Sequence, residues 1–186
     1  MMENTPLIKE ENKQNPRETI FFIITLCVFI VIFLLTNVFF SVVMVSGDSM
    51  LDTLYDGNVL VVSRLVEPNY GDVIVFEGDN GKIIKRVIAK EGDSIYSDGT
   101  NVYLKKQGES EFTMLEETYV KSATLAFNEV TVPENGYFVL GDNRAISNDS
   151  RYFGAVDKES VLGVVKQSVI DNTNVYTKLF GWIFNL

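Results

Sequence analysis

The stretch VIVFEGDNGKIIKRVIA, residues 73–89, decides the fold class of this 186-residue chain. It contains two runs rich in Val, Ile and Phe, Val73–Glu77 and Lys82–Ala89, which are separated by Gly-Asp-Asn-Gly. Short apolar runs bounded by Gly, Asp and Asn are typical of β-strands joined by turns. The same pattern recurs about every ten residues along the chain, which predicts an antiparallel β domain.

The other candidate strands share this composition. They are Val59–Leu65, Ser94–Ser97, Asn101–Lys105, Glu129–Val132, Tyr137–Leu140 and Gly163–Val169. A hairpin is predicted around Ser97–Thr100, because its central Asp-Gly pair suits a tight turn. We expect a small irregular excursion near 94–132, of which Glu109–Phe127 is the most polar part.

The longest apolar segment lies near the N-terminus. No charged residue occurs from Thr19 to Gly47, and Ile20–Phe40 is almost continuously apolar. Roughly 20 such residues span the hydrocarbon core of a bilayer. A cleavable signal peptide has a shorter apolar region, followed by a small-residue cleavage site, and burying a helix that is apolar on every side needs more protein than this chain supplies. We predict a transmembrane anchor at 19–42 and a folded domain at 43–186.

Lysine and arginine residues indicate the orientation of this anchor. Lys9, Lys13 and Arg17 precede it, whereas Arg64 alone follows closely. Positive residues accumulate on the cytoplasmic side, and acidic residues contribute little to this rule. We therefore expect a single-pass protein of the cell membrane, with a cytoplasmic tail at 1–18 and an extracytoplasmic domain.

The composition excludes several classes of enzyme and partner. The 16 Lys and Arg residues against 25 Asp and Glu residues give a formal net charge of −9, which does not favour nucleic-acid binding. The chain has no His and one Cys, so Ser-His-Asp catalysis, Cys-His catalysis and an intrachain disulfide are excluded, and an ordinary zinc site is disfavoured. We expect no metal, no cofactor and no nucleic-acid partner.

A lysine within the opening stretch is a candidate general base. Alternation along a strand places Lys85 on the same face as Ile83, Val87 and Ala89. Desolvation among such neighbours can lower the pKa of a lysine from about 10.4 by the roughly three units that base catalysis near pH 7 needs. The alternative is an edge-strand lysine whose stem covers the sheet and whose ammonium stays in water.

A serine turn directly follows the predicted anchor. Val45–Leu51 reads VSGDSML, in which Gly47 permits a tight turn whose N–H groups could face a substrate carbonyl. Without His, a serine hydroxyl can be activated by Lys, by a carboxylate or by an N-terminal amine. A nucleophile elbow would need Gly in place of Leu51, and no Ser-x-x-Lys motif occurs. We predict Ser49 as a nucleophile and Lys85 as its base.

A third polar block, Gly141–Gly154, follows the apolar run Tyr137–Leu140 and reads GDNRAISNDSRYFG. Such a loop can position a base. It can also be a surface turn held by Asx-type hydrogen bonds, or a divalent-cation loop. Against calcium, Asp142 and Asp149 are separated by Arg-Ala-Ile rather than by alternating Asp and Asn ligands.

The order of these blocks resembles the type I signal peptidase family, and the resemblance covers most of the chain. The anchor comes first. The matching blocks are Ser49-Met50, Tyr70–Phe76, Lys85–Ile88 with Gly92-Asp93, and Gly141–Gly154. The resemblance implies a transmembrane helix before an antiparallel β-rich catalytic domain, and a serine endopeptidase with a Ser/Lys dyad that removes signal peptides after Ala-x-Ala.

The resemblance also implies roles for single residues. Ser49 attacks the scissile carbonyl, Lys85 takes its proton and later protonates the leaving amine, and Ser147 hydrogen-bonds and orients Lys85. The supporting residues are Asp149, Arg86, Asp142, Arg144 and Arg151. The residues that border shallow pockets for small substrate side chains are Val45, Met50 and Ile84.

The chain departs from the family pattern at the expected oxyanion hole. The family uses the backbone N–H of the nucleophile, here Ser49, and in some members a hydroxyl two residues earlier, where this chain has Gly47. Losing one donor costs about 3 to 4 kcal/mol if nothing replaces it. We hypothesise that the Gly47 N–H, ordered water or Ser46 replaces it.

Two further departures affect the scaffold. Asp52 stands where the family commonly has Pro. Ala145-Ile146 stands where Asp-Asn is common, which removes an expected partner of Arg144 or Arg151.

The resemblance implies the signal peptides of preproteins and the lipid bilayer as partners, and we expect a monomer. The apolar segment Leu179–Leu186 is too short to span a bilayer, so it lies at the interface or packs on the domain. Three alternatives remain: a self-cleaving Ser/Lys protease of the repressor type, a catalytically silent membrane-tethered β protein, and a processing protease dedicated to one substrate.

Overall fold

The first element of the protein is a long apolar helix. The computed structural model describes residues 15–79 and 81–170, and α1 spans Pro16–Phe39. Among these residues α1 alone is long and apolar enough to cross a membrane, with a mean hydropathy of 3.0 and no buried residue. It ends before the predicted anchor at 19–42 does, because Phe40 already lies in a strand.

The chain from Phe39 onward forms a second compact unit, built mostly from strands. In chain order these are β1 (Phe40–Met44), β2 (Val59–Ser63), β3 (Val73–Gly78), β4 (Gly81–Lys90), β5 (Ser94–Ser97), β6 (Val102–Lys105), β7 (Thr113–Met114), β8 (Phe127–Thr131), β9 (Gly136–Leu140), β10 (Val156–Asp157) and β11 (Val161–Ile170). A short helix, α2 (Ser150–Phe153), lies between β9 and β10, and a 3₁₀ turn at Lys158–Ser160 precedes β11.

The strands form two sheets in which every pair is antiparallel. The larger sheet has seven strands in the order β1-β2-β11-β3-β4-β9-β10, and the smaller has the order β7-β6-β5-β8. One cluster of buried side chains joins the two sheets, with Ile88 and Phe138 from the larger and Ile95 and Leu104 from the smaller. The predicted antiparallel β-rich fold after one apolar helix is confirmed.

The strand register places the candidate catalytic blocks side by side. Lys85 in β4 pairs with Ile74 in β3, and the next residue, Arg86, pairs with Leu140 at the end of β9. The polar block that begins at Gly141 therefore starts beside the strand that carries Lys85. Burial of β9 along its whole length fixes this position.

The eight strands predicted from composition are all present with small shifts of their ends, and the β5–β6 hairpin forms at Ser97–Thr100 as predicted. The two short strands β7 and β10 and the edge strand β1 were not predicted. β1 escaped because Phe40–Met44 continues the apolar composition of α1. The segment Leu179–Leu186 and the charged residues Lys9 and Lys13 lie outside the described residues.

Candidate active site

The fold brings Ser49 and Lys85 into direct contact. Lys85 Nζ lies 2.7 Å from Ser49 Oγ and 3.0 Å from the carbonyl oxygen of Ile84. Lys85 lies within β4 and is only 4% exposed, whereas Ser49 lies in the turn after β1. A lysine amine at this distance from a serine hydroxyl can accept its proton once the amine is neutral.

Burial lowers the pKa of Lys85 from 10.5 to about 8, while the charges of Asp149 and Asp142 act in the opposite direction. The fall is smaller than the roughly three units that base catalysis near pH 7 was expected to need, because two carboxylates favour the ammonium. With this pKa, roughly a tenth of the lysines are neutral at pH 7, about 300 times the fraction of an ordinary lysine.

Ser49 and Lys85 open onto a groove of about 400 Å³. One wall comes from β1 and the chain after it, and the other from β4, although three strands separate β1 from β4 in the sheet order. The lining residues include all three that were expected to border substrate pockets, namely Val45, Met50 and Ile84. Lys82, an exposed residue, lies at the same groove.

The turn that carries Ser49 is held by Asn143. The Asn143 side chain donates a hydrogen bond of 3.1 Å to the carbonyl oxygen of Asp48, and its backbone N–H donates one of 3.1 Å to the carbonyl oxygen of Ser49. The two peptide units that flank Ser49 are thus fixed by one residue of the polar block.

The Gly47 N–H is not free to act as an oxyanion donor, which corrects one of the hypotheses above. It donates a hydrogen bond of 2.8 Å to Asp56 Oδ1. Gly47 has a φ of +85° and so adopts the left-handed conformation that favours glycine. The left-handed backbone conformation of the turn therefore explains why this position holds a glycine. Ser46 lines the groove.

Gly141 allows the polar block to approach the serine turn. A Cβ atom at this position would lie 2.2 Å from Ser147 Oγ and 2.5 Å from the carbonyl oxygen of Ser49. Both oxygen atoms therefore lie against the position that a Cβ atom would occupy, and only glycine, which has no side chain, fits here.

We expect Gly141→Ala to destabilise the protein by about 1 to 3 kcal/mol, the usual cost of forcing an extra methyl group into a packed site. It should also lower any activity that depends on Ser49, because the loop and the serine turn must separate. Urea unfolding of the full chain in detergent measures the first effect. An unchanged unfolding midpoint would contradict the close packing described here.

Ser147 does not make the hydrogen bond to Lys85 that the family resemblance implies. Its hydroxyl oxygen is buried, and among the described residues it has no hydrogen-bond partner. Lys85 Nζ instead donates to the carbonyl oxygen of Ile84. Ser147 is nevertheless part of the packed contact around Gly141 and the Ser49 turn.

Two buried carboxylates support the site through arginines. Asp142 accepts hydrogen bonds from Arg86, including one of 2.8 Å from Nε. Asp149 accepts from Arg151 Nε at 2.8 Å and from the Gly141 N–H at 3.0 Å. Both aspartates are thus engaged by arginine side chains rather than gathered at one point, and no group of Asp, Glu, His or Cys suited to a metal occurs among the described residues.

The sequence identified no partner for Arg144 or Arg151. Arg144 is paired with Glu117 and also donates to Thr124, although Ala145-Ile146 removes the expected local carboxylate. Arg151 pairs with Asp149, two residues away. The partner of Arg144 comes from the polar excursion, which the sequence indicated only as an irregular surface.

Asn143, Asp56 and Glu117 are therefore site residues that the sequence did not single out. Asn143 lies within the polar block, but nothing in the sequence shows that it contacts the serine turn. The sequence gives one indirect indication of Glu117, which is the absence of a carboxylate at 145–146 beside Arg144. A buried arginine without a neighbouring carboxylate implies a carboxylate from elsewhere in the fold.

Comparison with known proteins gives a consistent result. A family model described as signal peptidase, peptidase S26, matches residues 17–170. Signal peptidase I of Bacillus licheniformis is 34% identical over 168 residues, which is 83% of this chain and 90% of that protein. Signal peptidase I T of Bacillus subtilis (strain 168) is 34% identical over 145 residues, which is 72% of this chain and 75% of that protein.

A similar chain is also found among solved structures. The crystal structure of a signal peptidase I from Enterococcus faecalis V583 has 31% sequence identity to this chain. The match covers 54% of this chain and 98% of the other, with a TM-score of 0.47.

Proposed function

Because the chain belongs to the signal peptidase family, peptidase S26, we propose that it removes signal peptides from exported preproteins with a Ser/Lys dyad. In this proposal Ser49 is the nucleophile, Lys85 is the general base, and cleavage follows the second Ala of an Ala-x-Ala sequence. The family assignment supports a peptidase, and the proposal adds the residues and the specificity.

The observation that carries the proposal is the 2.7 Å contact between Lys85 Nζ and Ser49 Oγ inside a buried setting. A solvated lysine would be protonated and could not take a proton. Burial lowers the pKa of Lys85 to about 8, so a useful fraction is neutral at physiological pH.

The proposed reaction begins with neutral Lys85. Its Nζ takes the Ser49 hydroxyl proton as Oγ forms a bond to the scissile carbonyl carbon, which gives a tetrahedral oxyanion. When the C–N bond breaks, the Lys85 ammonium gives a proton to the leaving amine, and Ser49 carries the acyl group. Water, deprotonated by Lys85, then attacks the ester, and the proton returns to Oγ.

We propose that the backbone N–H of Ser49 stabilises the oxyanion and that Asn143 orients it. In a trans peptide unit the C=O and N–H point in opposite directions. The Asn143 side chain fixes the Asp48 carbonyl, and so fixes the direction of the Ser49 N–H in the same peptide unit. Among the described residues no acceptor occupies that N–H. Ser46, which lines the groove, is the candidate second donor.

The substrate is proposed to bind as an extended strand. β1 is an edge strand whose known partner is β2, so its other edge can offer N–H and C=O groups to a peptide. Val45, Met50 and Ile84 are buried residues that line the groove and leave shallow space for small side chains. This favours Ala beside the scissile bond.

We further propose that α1 anchors the enzyme in the cell membrane, with the N-terminus cytoplasmic and the β-rich unit that begins with β1 outside. α1 has the length and hydropathy of a membrane span, and the lysines before it favour this orientation. A substrate whose apolar segment lies in the same membrane would meet the site at a raised effective concentration. All proposed catalytic groups come from one chain, so the monomer is the proposed catalytic unit.

The test is cleavage of a preprotein that carries an Ala-x-Ala site by the full chain in detergent. Mass spectrometry of the products should show a single cut after the second Ala. Replacing that Ala by Leu in the preprotein should lower the rate by at least about 100-fold, because the shallow pocket has no space for the larger side chain. Equal rates for both preproteins would contradict the proposed specificity.

A further inference from the structure

The segment 117–124 contacts the polar block, the lysine strand and the residue that directly follows the serine turn. It belongs to the polar excursion, outside every motif that carries the family resemblance. Its side chains reach Arg144 of the polar block, Arg86 next to Lys85, and Asp52 after the serine turn. One short segment thus contacts several elements around the candidate site, which indicates more than a surface loop.

The contact with the polar block is a buried ion pair. Arg144 is fully buried, and the side chain of Glu117 is 10% exposed. Arg144 Nη1 donates to Glu117 Oε2 at 2.9 Å and to Thr124 Oγ1 at 2.7 Å, while Nε donates to the carbonyl oxygen of Gly141 at 3.0 Å. Arg144 thus connects Glu117 to Gly141, the residue that lies between Ser147 and the Ser49 turn.

The contact with the lysine strand runs through Tyr119. The Tyr119 hydroxyl donates to Glu117 Oε1 at 2.7 Å, and the Arg86 guanidinium lies 4.0 Å from the centre of the Tyr119 ring. Arg86 in turn binds Asp142. Burial and the nearby Glu117 carboxylate raise the pKa of Tyr119, so its hydroxyl keeps its proton and remains a donor.

The third contact is weaker and lies at the surface. Lys121 Nζ is 2.6 Å from Asp52 Oδ2, and both side chains are exposed. Exposed pairs contribute little to stability. The pair nevertheless connects the segment to a position where the chain departs from the family pattern.

The segment itself is fixed to the smaller sheet. The Leu115 N–H donates to the Val102 carbonyl, and the Thr124 N–H donates to the Thr100 carbonyl. The Ser97 hydroxyl donates to the Thr124 carbonyl at 3.0 Å. Because both ends are held, the side chains between them have a rigid base.

We propose that Glu117 is a positioning residue for the Ser49–Lys85 pair, acting through Arg144 on the polar block and through Tyr119 on Arg86. This inference rests on the proposed function. It also accounts for the Ala145-Ile146 departure: the carboxylate that pairs with Arg144 comes from a segment held on the smaller sheet, so the support of the site draws on both sheets.

The first test is Glu117→Gln in the full chain, with Glu116→Gln as the control, since Glu116 is an exposed neighbour that loses the same charge. We expect Glu117→Gln to lower kcat for preprotein cleavage by about 10- to 100-fold with little change in KM, because loss of the ion pair displaces the loop against the serine turn. Glu116→Gln should match the native chain. Equal kcat values for the two variants would overturn the proposal.

The second test uses Tyr119→Leu and Tyr119→Phe, which leave no buried charge unpaired. Leucine removes the ring beneath Arg86, so Asp142 is neutralised less well and its charge acts more strongly on Lys85. NMR titration of lysine-labelled protein, with the Lys85 signal assigned by its loss in Lys85→Met, should show an upward shift of about half a pH unit in Tyr119→Leu. Tyr119→Phe keeps the ring but loses the hydrogen bond to Glu117, so its Lys85 signal should shift upward by less than in Tyr119→Leu.

These two tests separate the inference from the proposed function. The NMR titration needs no substrate, so it gives its answer even if the native chain cuts no preprotein, a result that would refute the proposed function alone. An unshifted Lys85 titration in Tyr119→Leu would overturn the contact through Arg86. If Glu117→Gln does not fold, Tyr119→Phe decides the inference, because it removes the hydrogen bond to Glu117 and leaves the Arg144–Glu117 pair in place. An unshifted Lys85 signal in Tyr119→Phe would then overturn the proposal.

Discussion

Ser49→Ala is expected to reduce preprotein cleavage by roughly 10⁴-fold or more, the usual cost of removing a nucleophile that acts as one unit with its base. The change deletes one oxygen atom, whose contact in the site is Lys85 Nζ at 2.7 Å. The backbone of the turn remains fixed by Asn143, so substrate binding should persist while the chemical step is lost.

The measurement is single-turnover cleavage of the Ala-x-Ala preprotein by the full chain in detergent. Ser160→Ala is a suitable control, because Ser160 lies in the 3₁₀ turn before β11 and its hydroxyl donates only to the Asp157 carbonyl. It should cleave at the native rate. Residual activity of a folded Ser49→Ala protein near that of the native chain would exclude Ser49 as the nucleophile.

The fold could be predicted largely from the sequence because its strands are short, apolar and bounded by turn residues. The failures have physical reasons. β1 follows α1 without a change of composition, so its apolar residues were attributed to the anchor. The ladder that forms β1 is a long-range pairing with β2, which no local pattern reveals. The two-residue strands β7 and β10 are too short for any period to show.

The pairing of Ser49 with Lys85 could be predicted, whereas the contacts around the pair could not. Ser49 and Lys85 were indicated by elimination, by the apolar neighbours of the lysine and by the order of the motifs. The use of Gly47 N–H by Asp56, the double contact of Asn143 and the pairing of Arg144 with Glu117 depend on how distant loops meet. Such contacts depend on tertiary packing, and a single sequence does not show which loops lie close together.

The pairing of Arg144 with Glu117 also shows how a buried arginine can be paired without a carboxylate at 145–146. A buried arginine needs a carboxylate wherever that carboxylate comes from in the chain. In this protein the segment 117–124, which is held on the smaller sheet, supplies it. The polar block is therefore supported at Arg144 by a contact across the fold.

Lys85→Met is expected to abolish cleavage and, at the same time, to stabilise the folded protein at neutral pH. Activity should fall by at least about 10³-fold, because the Ser49 proton loses its acceptor. Stability should rise by up to about 3 kcal/mol at pH 7, since methionine fills the buried site without the cost of holding a charge there. A loss of activity together with a gain in stability cannot result from misfolding.

The pH dependence of the native chain follows from the same residue. The pKa of Lys85 is about 8 in the folded protein and close to its ordinary value of 10.5 in the unfolded chain. In the proposed mechanism only neutral Lys85 is active, so kcat/KM should rise about tenfold per pH unit below 8 and level off above it. Between pH 8 and 10.5 the unfolded chain binds the proton that the folded protein has lost, so the contribution of Lys85 to stability becomes more favourable as pH rises.

Lys166→Met is the matched control, because Lys166 lies exposed on β11. It should change neither the stability at pH 7 nor the pH profile of cleavage. Unfolding by urea and cleavage rates between pH 6 and 10 measure both quantities for the three proteins. If the acid limb of the native profile lay near pH 10 and Lys85→Met gained no stability over Lys166→Met, Lys85 would be an ordinary charged lysine. The general base would then have to be sought elsewhere, since the 2.7 Å contact with Ser49 would join a serine to an ammonium that cannot accept its proton.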